Sequence, residues 1–139
     1  MLQEISDKPG FLYVTAQGRF SLEEAKKRFV EMLEAVAQHK VEKVLFDGLK
    51  LTGDPNTMER FYYGEFAAQS VANIAQRGVS PATHFAYVLE GPLRDPDRFG
   101  EIVAANRGML VKTFDRVEDA LNWLQTAPGS KPDTGRSDP

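Results

Sequence analysis

The chain has 139 residues, 42% of them hydrophobic and 27% charged, with a formal net charge of -3. This composition is typical of one globular domain that is long enough to bury a core. The acidic balance gives no overall attraction for nucleic acid or anionic lipid. Cysteine is absent, which excludes disulfides, cysteine-zinc sites and thiol catalysis. Because the first residues lack a basic segment and no apolar run approaches roughly 18 residues, we expect a cytoplasmic protein without a signal peptide or stable membrane insertion.

The N-terminal segment predicts a β-hairpin followed by a helix. Residues 2–6 and 11–16 are strand-like runs on either side of a Lys-Pro-Gly turn. Ser21 and Glu24 form a capping box, and apolar residues recur behind them at helical spacing.

Strands and helices then alternate along the chain. We predict strands over residues 41–46, 85–89 and 109–114, and helices over residues 57–77, from 96 or 97 to 106, and after Asp115. The order ββαβαβαβα predicts an α/β fold with one mixed sheet, mostly parallel, an antiparallel N-terminal hairpin and four flanking helices. This domain spans residues 1–125. Residues 126–139 have no large apolar side chain, so we predict a disordered C-terminal tail.

The segment after the strand 41–46 is the first candidate site. The strand is expected to stop at Asp47, and open α/β sheets place ligands at the carboxyl ends of their strands. Asp47 is either a polar group of such a site or an acceptor for loop amides. The loop continues through Thr52, Asp54, Asn56 and Thr57 into a helix N-terminus, which either binds an anion or is simply capped by Asn56.

The helix predicted over residues 57–77 is the second candidate site. Its apolar arc spans roughly 240°, against the roughly 100° of a helix that packs on one side only. The arc carries Phe61 and Tyr63, with Phe66 at its edge. A partner chain, a second copy, an apolar ligand or neighbouring helices of the same chain would cover it. An apolar ligand would lie between this helix and its neighbours, in a pocket lined by Phe61, Tyr62, Tyr63 and Phe66. Its head group would lie near Arg94 or Arg98, which otherwise belong to an ordinary helix start.

Catalytic and metal-binding patterns are weak in this sequence. Neither His39 nor His84 has acids at metal-ligand spacing, so we expect no metal and no other cofactor. An enzyme would require Asp47, Asp54 or Glu59 to meet a histidine or lysine in a concave site. We expect no enzymatic activity.

Four segments resemble the STAS/SpoIIAA-like superfamily, and specifically its STAS/SEC14-like branch. They are residues 44–47 (VLFD), 85–89 (FAYVL), 99–108 (FGEIVAANRG) and 114–124 (FDRVEDALNWL). The resemblance covers roughly residues 2 to 125, and its last two segments are the most specific.

The resemblance implies regulation through protein contacts, or ligand sensing, rather than catalysis. Anti-sigma-factor antagonists of a sister branch carry a phosphoacceptor serine at the start of the helix after this loop. Here that place falls at residues 55–56, with Thr57 next, and the serine is absent. We therefore predict a non-enzymatic regulatory or protein-interaction module that forms a homodimer and contacts another regulatory protein. The alternative is a module that binds or senses a lipid-like or other apolar small ligand.

Overall fold

A computed structural model describes residues 1–74 and 78–127 of the chain. The described elements are β1 (Leu2–Lys8), β2 (Phe11–Arg19), α1 (Leu22–His39), β3 (Lys43–Thr52), α2 (Thr57–Ile74), β4 (His84–Val88), a short 3-10 turn (Gly91–Leu93), α3 (Phe99–Asn106), β5 (Leu110–Phe114) and α4 (Val117–Thr126). This order confirms the predicted succession of strands and helices.

The five strands form one sheet in the order β1-β2-β3-β4-β5. β1 pairs with β2 in antiparallel register, and the remaining neighbours pair in parallel. The predicted mixed sheet with an antiparallel N-terminal hairpin is therefore confirmed.

The helices divide unequally between the two faces of the sheet. Because strands 2 to 5 follow each other in sequence order, crossovers of one hand place α1, α2 and α3 on the same face. Their buried residues Phe29, Ala67 and Ala104 share one cluster with Phe46 and Tyr87 of the sheet. Among the described elements, α4 covers the opposite face and contributes Ala120 and Leu124 to a second cluster.

Both predicted capping boxes lie at helix starts. The Glu24 amide donates to the Ser21 hydroxyl oxygen at 3.3 Å. At the start of α2 the exchange is reciprocal: the Glu59 amide donates to Asn56 Oδ1 at 2.8 Å, and the Asn56 amide donates to Glu59 Oε1 at 2.9 Å. Asn56 thus satisfies amide groups that would otherwise be exposed at this helix end.

β3 does not end at Asp47, which corrects the prediction from sequence. The register between β2 and β3 passes from Thr15–Asp47 to Gln17–Lys50, so β3 carries one more residue there than β2. Such a bulge bends the strand and lets pairing resume beyond it. Pairing continues to Thr52, and Asp47 therefore lies within the strand.

Two helix starts also differ from the predicted ones. α3 begins at Phe99 because the Asp95 carboxylate accepts from the amides of Asp97 and Phe99, at 3.1 and 2.8 Å, and holds the preceding residues as a turn. α4 is preceded by Arg116 as its N-terminal cap residue, rather than Asp115.

The predicted ends of two segments lie partly outside the described residues. α2 is described to Ile74, so its predicted end at residue 77 is not covered. α4 includes Thr126, and Ala127 after it is buried, whereas the predicted tail beyond Ala127 lies outside the described residues.

Side chains occupy part of the outer edge of β5. Thr113 donates from its amide and its hydroxyl to Glu101 Oε1, at 3.0 and 2.7 Å. Its carbonyl oxygen accepts from Arg94 Nη2 at 3.5 Å. Over residues 1–74 and 78–127, no helix is both long and apolar enough to cross a bilayer.

Candidate functional site

A cavity of about 140 Å³ opens beneath α2, at the carboxyl ends of the parallel strands. The floor is the sheet, because Phe46 and Tyr87 are paired neighbours on β3 and β4 and point to the same face. α1, α2 and α3 form the walls. The apolar lining includes Phe20, Ala25, Phe29, Met32, Phe46, Leu51, Tyr63, Ala67, Tyr87, Leu89, Leu93, Ala104, Met109 and Val111.

Neighbouring helices cover much of the wide apolar arc of α2. Tyr63 meets Phe29 of α1 edge-on, with 6.0 Å between the ring centroids. On the other side, a Cβ atom on Gly64 would lie only 2.6 Å from the Gly100 carbonyl oxygen, so α2 and α3 are in close backbone contact. Met58 and Tyr62 are left exposed, at 54% and 44%.

Two tyrosine hydroxyls meet in the wall of the cavity. The hydroxyl oxygens of Tyr63 and Tyr87 are 2.7 Å apart, which is a hydrogen bond in which either group donates. Burial raises the pKa of both phenols well above the ordinary value. Both hydroxyls therefore stay neutral at physiological pH and act as hydrogen-bonding groups rather than as bases.

An arginine joins the loops at the mouth of the cavity. The Arg60 guanidinium donates to the carbonyl oxygens of Pro55, Leu93 and Pro92, at 3.1, 3.2 and 2.7 Å. Five donors in a planar fork allow one arginine to serve three carbonyls. The charged residues of the wall are Arg28, Arg60, Arg98, Glu59, Asp95 and Glu101. Because these charges balance, the mouth has no strong preference for either sign of ligand.

The β1 side of the cavity carries two buried polar atoms that lack a partner among the described residues. Gln3 Nε2 donates to the Arg28 carbonyl oxygen at 3.0 Å. Gln3 Oε1 and Arg28 Nε have no hydrogen bond within the described ranges. Most of the wall is apolar, so these atoms are local exceptions to it.

Asp47 lies away from this cavity and has a structural partner. Its carboxylate accepts from the Tyr13 hydroxyl at 2.7 Å and from the Leu49 amide at 3.1 Å. Tyr13 packs with the cluster under α4, so the pair lies on the opposite face of the sheet. The hydrogen bond to Asp47, followed by burial, raises the pKa of Tyr13 to about 12. The contacts of Asp47 match the simpler interpretation, in which the acid holds local amides.

The predicted loop residues surround the start of α2. Thr52 donates weakly to the Gly18 carbonyl at 3.4 Å, and Asp54 lies 3.9 Å from Arg60. Asn56 caps α2 by accepting from the Glu59 amide, and Thr57 is exposed. Their roles in binding stay predictions.

Of the predicted aromatic and arginine residues, only Tyr63 and Arg98 line the cavity. Phe61 contacts Phe99 of α3, and Phe66 lies under Lys26 of α1. Arg94 turns instead toward Thr113 and lies 3.9 Å from Asp115. The proposed lining by Phe61, Tyr62 and Phe66 thus needs correction, because these side chains lie against neighbouring helices or at the surface.

Sequence reasoning missed Tyr87, Phe29 and Phe46 as cavity residues. The strand pattern offered a signal, since residues two apart on a strand face the same side. Tyr87 is two residues from Phe85, and both belong to the cluster beneath the helices.

The histidines have local partners. His84 Nδ1 is 2.8 Å from the Ala82 carbonyl oxygen, and His39 Nδ1 is 3.5 Å from Asp7. Within residues 1–74 and 78–127, no three metal-binding side chains converge. For the acids of the enzyme hypothesis, the contacts seen are Asp47 with Tyr13, Asp54 with Arg60, and Glu59 with Asn56.

Solved structures match this chain, whereas no protein-family model and no curated protein does. An anti-sigma factor antagonist from Mycobacterium paratuberculosis is 14% identical, with a TM-score of 0.56 over 89% of this chain and 93% of that one. A DUF3478-family protein with a SpoIIAA-like fold from Shewanella loihica PV-4 is 18% identical, with a TM-score of 0.48 over 88% and 92%. The unphosphorylated anti-sigma factor antagonist SpoIIAA is 9% identical, with a TM-score of 0.46 over 90% and 99%.

The match to the Mycobacterium protein covers most of both chains. The resemblance predicted from residues 44–47, 85–89, 99–108 and 114–124 is confirmed at the level of the fold. The chain therefore shares the fold of this anti-sigma factor antagonist.

Proposed function

We propose that this protein is a non-enzymatic regulatory module that works through protein contacts made at the start of α2. The observation that carries the proposal is the exposure of Met58 and Tyr62, which are four residues apart and therefore neighbours on one helix face. Aromatic residues and methionine are enriched in protein interfaces. We call this surface the α2 tip; it comprises Thr52, Asp54, Asn56, Thr57, Met58 and Tyr62.

The fold supports a regulatory role of this kind. The Mycobacterium protein with the same fold is an anti-sigma factor antagonist, so it acts on another protein. In the present chain Asn56 uses its amide oxygen to cap α2 and cannot accept a phosphoryl group. We therefore propose regulation by contact at the α2 tip, without a phosphoserine switch.

The first partner we propose is a second copy of the chain. Met58 and Tyr62 lie at the helix surface, where a two-fold axis would bring each pair against its copy.

Light scattering over a concentration series should give a reversible dimer for the wild type. Met58→Glu and Tyr62→Glu should each weaken the dimer, because an unpaired carboxylate would be buried. Gln69→Glu, which adds the same charge at an exposed position of α2, should not. A wild type that stays monomeric at high concentration would contradict the homodimer.

The cavity favours a second candidate function, which is the binding of a small apolar molecule. A dry apolar cavity of roughly 150 Å³ can hold benzene. The present volume is similar, so it suits a small ring compound and not an entire long acyl chain.

Chemical-shift mapping with α-methylstyrene tests this second candidate. We expect shifts at residues lining the cavity, and we expect Ala67→Leu to abolish them because Ala67 is buried in the wall. Ala72→Leu, at an exposed position of the same helix, should bind as the wild type does. Should Ala67→Leu not fold, Ala104→Val fills the same wall. Wild-type protein that does not respond to a saturating ligand would exclude this function.

A further inference from the structure

The tyrosine pair in the cavity wall keeps one hydroxyl proton that the hydrogen bond between the two tyrosines does not use. Each phenol carries one hydroxyl proton, and the contact between Tyr63 and Tyr87 uses only one of them. Among the described residues, none accepts the second proton. Tyr87 is 6% exposed, so this donor is largely removed from bulk water. A buried donor without an acceptor costs about 1 to 3 kcal/mol.

The surrounding atoms keep the pair fixed and neutral. Phe46 stacks near Tyr87 with 4.7 Å between the ring centroids, and Phe29 meets Tyr63 edge-on. The two tyrosines belong to different elements, α2 and β4. Because burial also raises the pKa of both phenols, the free donor is an uncharged hydroxyl over the physiological pH range.

A second donor on the same wall also lacks an acceptor. Arg28 Nε is buried without a partner within the described ranges, while its terminal nitrogens bind Glu24 and Glu31. The cavity thus presents two donors that lack acceptors, beside one acceptor, Gln3 Oε1, that lacks a donor, in a mainly apolar wall with balanced charge. These features favour an uncharged molecule with one acceptor over an ion, and over a fully apolar molecule of the same shape.

We propose that the cavity binds a small, uncharged, mainly apolar molecule that carries one acceptor oxygen, such as a ring-bearing ketone or aldehyde, and that the Tyr63–Tyr87 pair donates its free proton to that oxygen. This inference rests on the second candidate function and adds the chemistry of recognition to it. In the bound state one hydroxyl donates to its neighbour, and the neighbour donates to the ligand.

Two probes of nearly the same shape test the proposal. Acetophenone carries a carbonyl group where α-methylstyrene carries a carbon-carbon double bond, so they differ chiefly in the acceptor. Titration followed by NMR gives the ratio of their dissociation constants. In Tyr63→Phe/Tyr87→Phe this ratio should move against acetophenone by about five-fold, the equivalent of one hydrogen bond. Tyr13→Phe, which removes a phenol on the other face of the sheet, should leave the ratio unchanged.

A second measurement does not depend on the stability of the double variant. In the wild type, acetophenone should shift the Cζ resonances of Tyr63 and Tyr87 more than α-methylstyrene does, and Tyr13 should not respond. If both probes bind and the ratio is the same in wild type and double variant, or if the two probes shift the resonances equally, the tyrosine donor is overturned and the cavity function stands. If neither probe binds, the cavity function fails as well.

Discussion

At the scale of single residues, Asp47 was a predicted site residue, and its contacts stabilise the strand in which it lies. Its two acceptor bonds go to Tyr13 across the sheet and to the Leu49 amide within the bulge. The amide left free by the bulge is thereby satisfied, as buried backbone groups generally are. Asp47 contributes to the geometry that lets β3 continue to Thr52.

The contact between Tyr13 and Asp47 should be visible in the pKa of the Tyr13 phenol. Tyr13 should titrate at about 12, and in Asp47→Asn its pKa should fall toward the ordinary value of about 10, because the carboxylate is gone. Asparagine still offers an oxygen to Leu49, so the bulge should persist. Carbon-13 labelling of tyrosine makes the titration visible by NMR.

The same shift links Tyr13 to alkaline stability. A phenol whose pKa is raised in the folded state stabilises that state below pH 10, and its contribution is lost as the pH rises from 10 to 12. The wild type should therefore lose more free energy of unfolding over this window than Tyr13→Phe does. Parallel slopes for the two proteins would contradict the prediction.

Replacing Arg60 by lysine keeps the positive charge but removes the planar fork of donors, and we expect this change to lower the stability of the protein. Arg60→Lys should lower the free energy of unfolding by about 1 to 3 kcal/mol, because one ammonium cannot serve three carbonyls of two loops. Arg116→Lys is the matched control: Arg116 forms an exposed pair with Glu118, and such pairs contribute about 0 to 1 kcal/mol. Urea denaturation measures both, and equal effects would argue against the role of Arg60.

At the scale of elements, the approach of α2 to α3 depends on the absence of a side chain. Gly64 faces the backbone of Gly100, so the two helices meet without an intervening Cβ. Gly64 and Gly100 both line the cavity, so this contact forms its wall on the α3 side.

Gly64→Ala should reveal the contact. An exposed glycine-to-alanine change in a helix stabilises by up to about 1 kcal/mol. Here the added Cβ would lie 2.6 Å from the Gly100 carbonyl oxygen, and overpacking costs about 1 to 3 kcal/mol or more. We expect a net loss of stability in thermal unfolding. Asn73→Ala, at an exposed site of the same helix, should give none, and a stabilised Gly64→Ala would show that the helices can move apart.

Elements with local signals could be predicted, and those set by distant pairing could not. The Asn56–Glu59 box is a pattern within four residues, so the sequence alone indicates the start of α2. The end of β3 depends on Gln17, Gly18 and Arg19, which pair with Lys50, Leu51 and Thr52. Likewise, a helical wheel of α2 places Tyr63 on the apolar arc, whereas its hydrogen bond to Tyr87 of β4 depends on how α2 packs against the sheet.

At the scale of the whole molecule, the C-terminal boundary of the domain can be tested by truncation. Ala127 is 8% exposed and its amide donates to the Leu124 carbonyl at 3.2 Å. A chain truncated after residue 127 should match the full chain in urea denaturation, because residues 128–139 contain no large apolar side chain. Truncation after residue 125 should cost about 1 kcal/mol through lost burial and the lost end of α4. Equal stability of both truncations would support the boundary predicted from sequence.

The two borders of the sheet differ in their capacity to recruit another strand. At β5, Glu101 and Arg94 already engage the backbone of Thr113, so an incoming extended peptide would have to displace charged side chains. Edge strands without such protection are templates for pairing with other chains. Aggregation by strand addition is therefore disfavoured at β5. β1 is the other border strand and most of its residues are exposed, so such growth would begin there.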